Sequence, residues 1–140
     1  MNARMEKAAN VVAVGLGVVM FAFGFLKLFN PFHAWYESQI ANSGLPSASF
    51  ALGIVGELSI GVAFLASVVA RRQLRERRYV ILALASLGLI VMMAVATYVH
   101  LHPDVPAAVL PLGIKPPFIP LTVLALAAGE LVLAARLRAA

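Results

Sequence analysis

The 140-residue chain has no cysteine, and only 12% of its residues are charged. Without cysteine there are no disulfides, no thiolate metal sites and no dithiol redox chemistry, so any redox role needs an external cofactor or a partner subunit. The shortage of charge, against roughly 25% in an ordinary soluble domain, combines with a 62% apolar content to exclude a water-facing globule. So short a chain leaves a large fraction of its surface exposed, and the solvent that suits this surface is lipid. Also missing are a phosphate-binding loop, a dinucleotide fingerprint and a serine nucleophile elbow. His33 and Glu37 stand four apart and His100 and His102 two apart, but neither pair forms a recognised metal constellation, and no metal is expected.

What the sequence does have is four long apolar runs, at residues 11–29, 51–70, 79–100 and 118–135. Each is close to the roughly 20 residues that cross a hydrocarbon core of about 30 Å at helical rise. None carries the polar stripe a soluble bundle would turn to water, and none alternates with the period of two that a barrel strand needs. Backbone groups in lipid must bond internally, which selects helices. The first run follows Arg4 and Lys7 as a secretory signal would, but it lacks a convincing small-residue cleavage site and three more runs follow it, so it reads as a retained span. The expected fold is all-α: a single membrane domain over residues 1–140, built as a transmembrane four-helix bundle.

The formal charge of +5 could indicate nucleic acid in a soluble protein, but here the basic residues lie beside the apolar runs and set orientation instead. Nine of the eleven, Arg4, Lys7, the five arginines between spans two and three, Arg136 and Arg138, fall on one side. An even number of spans then puts both termini and the arginine loop in the cytoplasm. Anionic-lipid attraction and topology setting suffice to explain that loop.

Two outer loops complete the reading. From Asn30 to Ser49, Phe32, Trp35, Tyr36 and Ile40 fall at spacings that share a helical face, predicting a short interfacial helix with Trp35 and Tyr36 at headgroup level. From Leu101 to Pro117, five prolines forbid a regular helix while many apolar residues disfavour free exposure, predicting a lid folded over the bundle mouth.

Ionisable residues at lipid depth mark candidate sites. Glu57, flanked at four residues on either side by Gly53 and Gly61, is expected to face the bundle interior at a close helix approach. Lys27 lies roughly 10 Å and Glu57 roughly 5 Å outward of their span centres, within mutual reach, so Lys27 is the expected partner. Snorkelling of Lys27 to the headgroups is the alternative. His100, with Thr97 and Met93 near its face, ends span three at a compatible depth and is expected to join that cluster. Glu130 is a second deep carboxyl, with no basic residue expected at its depth. It would hold a proton, bond a polar group such as Ser86, or be oriented by an arginine at the membrane edge. Gly15, Gly17 and Gly24 of span one are expected to serve helix packing.

GFLKL in span one, SGLPSAS followed by ALGIVGELSIGVAFL leading through span two, and MAVATYVHLHP closing span three resemble the DoxX-like family of small four-span bacterial membrane proteins, over roughly Phe21 to Ala134. The resemblance implies a compact four-helix bundle in the inner membrane, with the family's polar positions at Lys27, Glu57 and His100. It implies either an accessory, quinone-interacting subunit of a membrane redox complex or a non-enzymatic assembly protein with lipid and protein partners, since relatives take part in quinone-linked thiosulfate oxidation, in oxidative-stress complexes and in receptor assembly. A quinone is the cofactor so implied. A transporter is disfavoured, because four short spans without inverted repeats offer little machinery for alternating access.

Overall fold

All four apolar runs are helical in the computed structural model, which describes residues 2–140. The elements in chain order are α1 (Asn2–Leu26), α2 (Phe32–Asn42), α3 (Ala48–Val69), α4 (Arg71–Leu74), α5 (Arg77–Leu101) and α6 (Phe118–Ala139), with 3-10 turns at Ala107–Val109 and Pro111–Gly113. The long helices, α1, α3, α5 and α6, have 22 to 25 residues. At 1.5 Å per residue they run about 33 to 37 Å, enough to cross a bilayer.

Three helix boundaries differ from the apolar runs by local causes, two of them in α1 and one in α6. α1 begins at Asn2 rather than Val11, because the polar segment before Val11 is rich in good helix formers, and Ala9 is already fully buried. α1 also stops at Leu26, so Lys27 stands in the turn beyond it. Pro31, four residues on, has no amide hydrogen to give the Lys27 carbonyl and so cannot continue the helical ladder. At the other terminus α6 runs on to Ala139 and buries Leu137.

The long helices pack as a ring in the order α1, α3, α5, α6. Leu16, Met20, Phe64, Leu82 and Leu89 fill its centre and are almost wholly buried. Outside, Val11, Leu52, Val62, Leu84 and Val91 are each more than half exposed, an apolar belt suited to lipid. Since lipid tails are as apolar as the core, close backbone packing holds the helices together. That packing is tightest between α1 and α3. A Cβ at Gly61 would stand 2.7 Å from the Phe21 amide nitrogen, and one at Gly24 would stand 3.1 Å from Glu57 Cβ. Gly15 departs from expectation: it faces open space and takes no part in packing.

The ring has two distinct ends. The arginine end holds the start of α1, the short α4 with its flanking arginines, and the last turn of α6. At the lid end, α2 and the proline-rich segment 102–117 close over the bundle. Val105 and Leu110, each 1% exposed, pack with Val99 beneath the lid. Lys115 Nζ donates to the His102 and Val105 carbonyls, both at 2.5 Å, cinching the prolines into a compact loop. Gln39 Nε2 donates to the Val109 carbonyl, and Tyr98 donates to the Ser43 carbonyl at 2.8 Å, so α2, the lid and α5 are tied together.

Candidate functional site

The turn after α1 aims Lys27 across the seam toward α3. Its carbonyl is bound by His33 Nδ1 at 2.9 Å, and since a carbonyl only accepts, Nδ1 carries the hydrogen. The Lys27 Nζ donates to Glu57 Oε1 at 2.5 Å, joining α1 to α3 by a charge-assisted bond. Glu57 is 6% exposed, and Gly24 gives α1 room to approach it. Its second oxygen, Oε2, is buried with no hydrogen-bond partner.

Tyr36 of α2 completes the site. Its ring centroid lies 4.0 Å from Lys27 Nζ, a cation–π contact. Tyr36 stacks on Phe50 at 5.2 Å, and His33 meets the same Phe50 edge-on at 4.9 Å, so an aromatic layer covers the ion pair. A side chain at Gly53 would collide with the Tyr36 hydroxyl, which makes this glycine a requirement of the ring's position. Burial, and secondarily the negative charge of Glu57, push the Tyr36 phenol up to about 12, so it stays neutral and donates to the Ser49 carbonyl at 3.3 Å. The group thus offers an ammonium donor, one unsatisfied carboxylate acceptor and an aromatic wall.

Other residues singled out from the sequence lie elsewhere. His100 is 4% exposed and turns to the lid, with Nδ1 3.3 Å from the Lys115 carbonyl. No hydrogen bond joins it to Lys27 or Glu57, because the lid carbonyl claims its ring. Thr97 donates back to Met93 of its own helix at 2.8 Å. Trp35 is exposed and meets Phe32 edge-on at 5.4 Å, as an interfacial residue would. Tyr36, expected to share that interfacial role, turns inward onto Lys27. His33 was not singled out for this site; its only signal was the three-residue spacing to Tyr36 on one helical face.

Glu130 is fully buried, and neither of its oxygens has a partner. Of the three alternatives open to it, the bond to Ser86 is not formed, and the Ser86 hydroxyl is itself unpaired. Arg78, which the sequence groups with the orientation-setting loop, is 3% exposed, and no salt bridge joins it to Glu130. It donates to Asn10 Oδ1 at 2.7 Å and meets Glu6 at 3.4 Å. Among the described residues no group of three or more metal-ligating side chains gathers.

Fold and site together define a multi-pass membrane protein: a bundle of four apolar helices with a lysine–glutamate pair buried under an aromatic layer at one end. Its sequence matches no family model and no curated protein, and its fold matches no solved structure.

Proposed function

We propose that this chain is a DoxX-like protein of the bacterial inner membrane, with both termini and the arginine end in the cytoplasm, that serves a membrane redox complex as an accessory subunit and binds a quinone headgroup at Lys27 and Glu57. The observation that supports this is the partnerless Glu57 Oε2 beside the Lys27 ammonium, at lipid depth and under aromatic cover. A quinone carbonyl accepts from an ammonium, and a quinol hydroxyl donates to a carboxylate oxygen, so one headgroup suits both atoms. The rings of Tyr36 and Phe50 supply a flat apolar wall for it.

A second reading is an assembly protein in which the ion pair is a structural clip. It is favoured by how tightly Tyr36, fitted against Gly53, closes over Lys27. The lone tryptophan, Trp35 on α2, separates the two. The pure protein in nanodiscs is titrated with a short-chain quinone while Trp35 fluorescence is recorded. Quinone binding predicts saturable quenching that Glu57→Gln weakens about tenfold, a loss of about 1.4 kcal/mol. Quenching that rises linearly and equally in both proteins supports the clip. Orientation is tested in the same cysteine-free background: in intact cells an impermeant thiol reagent should label Leu112→Cys in the lid and spare Arg72→Cys.

A further inference from the structure

A second feature lies at the arginine end, away from the Lys27–Glu57 pair and independent of the quinone reading. A hollow of about 690 Å³ is lined by Ala3, Glu6, Lys7, Asn10, Val11, Val14 and Arg71. It adjoins one of about 360 Å³, which shares Glu6 and Arg71 and adds Arg72, Arg75, Glu76, Arg78 and Tyr79.

Charge and polarity are graded along this groove. Ala3, Lys7, Val11 and Val14 recur at helical spacing, so α1 presents one stripe that is basic near the terminus and apolar deeper in. Val11 is 64% exposed, beside the groove floor. At the mouth, five basic residues face two carboxylates. Arg78 takes Glu6 as its partner, whereas among the described residues Lys7, Arg71, Arg72 and Arg75 pair with no carboxylate. Arg75 is held at φ +49°, a backbone region that favours glycine, at the rim of the smaller hollow. Arg78, though 3% exposed, leaves Nε without a partner. Four unpaired cations beside an apolar floor call for a molecule with an anionic head and a hydrocarbon tail.

We infer that the groove between α1 and α4 is a binding site for one anionic phospholipid, its phosphate among Lys7, Arg71 and Arg75 and an acyl chain along Val11 and Val14. General attraction of a basic surface to an anionic leaflet makes no distinction between the arginines at this end, whereas a built site does.

The test is native mass spectrometry of the full chain released from nanodiscs of equal phosphatidylglycerol and phosphatidylcholine with matched chains, at physiological salt. One phosphatidylglycerol should be retained at least about tenfold over phosphatidylcholine. Arg71→Gln with Arg75→Gln should weaken it about 30-fold, roughly fivefold per charge. Arg136→Gln with Arg138→Gln, at the same end but outside the groove, should change it less than about twofold. Val14→Trp fills the apolar floor without touching a charge and should also lower retention, a check that survives misfolding of the arginine double variant. Equal retention of the two lipids, equal losses in the two arginine pairs, or displacement by millimolar inorganic phosphate, which would mark a free-anion site, would each overturn the assignment.

Discussion

Replacing Lys27 by methionine keeps the length of the side chain but strands the Glu57 carboxylate, which is 6% exposed and already has one oxygen unsatisfied. Removing one partner of a buried pair typically costs about 3–5 kcal/mol, because an uncompensated charge remains. A second route caps this loss: the carboxyl can take up a proton, which at pH 7 costs about 3.7 kcal/mol from an ordinary value near 4.3. The Lys27 side chain is 18% exposed, so some water reaches the pair and lowers the penalty. The expected loss is therefore about 2–4 kcal/mol at pH 7. It should shrink toward about 1 kcal/mol at pH 5, where protonation is cheaper. Lys27→Met combined with Glu57→Leu removes both charges and should return stability to within about 1 kcal/mol of the parent. The assay is unfolding by dodecyl sulfate in mixed micelles, followed by circular dichroism, with the coupling read from the double-mutant cycle. A single variant within about 1 kcal/mol of the parent, or a double variant no more stable than the single, would show that the ion pair does not hold α1 to α3.

The same unfolding assay should separate the glycines of α1 and α3. Gly61→Ala pushes a methyl into the Phe21 backbone and should cost about 1–3 kcal/mol, whereas Gly15→Ala meets nothing within 4 Å and should be neutral or slightly stabilising. Because the Tyr36 phenol is held up at about 12 against an ordinary value near 10, its contribution to stability is full below pH 10 and is lost as pH rises toward 12. Ultraviolet titration of phenolate should show one late-ionising tyrosine that Tyr36→Phe removes. Glu130 is fully buried without a hydrogen bond, so Glu130→Leu should raise stability by about 1–3 kcal/mol; a fall would mean that the carboxyl finds a partner that outweighs its burial cost.

What the sequence determined alone is what depends on solvent and on backbone bonding. Four apolar runs without a polar stripe select spanning helices, because lipid offers no partner to an open N–H or C=O. Five prolines in one apolar loop, and aromatics at helical spacing in the other, were likewise enough to foresee a lid and the helix Phe32–Asn42. Even the meeting of Lys27 with Glu57 was legible, since depth along a helix is a count of residues multiplied by a fixed rise. The tertiary structure decided what depends on rotation about each helix axis and on the path of the loops, which no residue count specifies. It turned Tyr36 inward over Lys27 because Gly53 left room for the ring, and gave His100 to the Lys115 carbonyl. It also drew Arg78 into the bundle, where Asn10 and Glu6 meet its guanidinium, while among the described residues Arg71, Arg72 and Arg75 stay without a carboxylate partner along the groove. A long charged side chain at a helix end can reach either headgroup or core, and the partners on neighbouring helices choose between them.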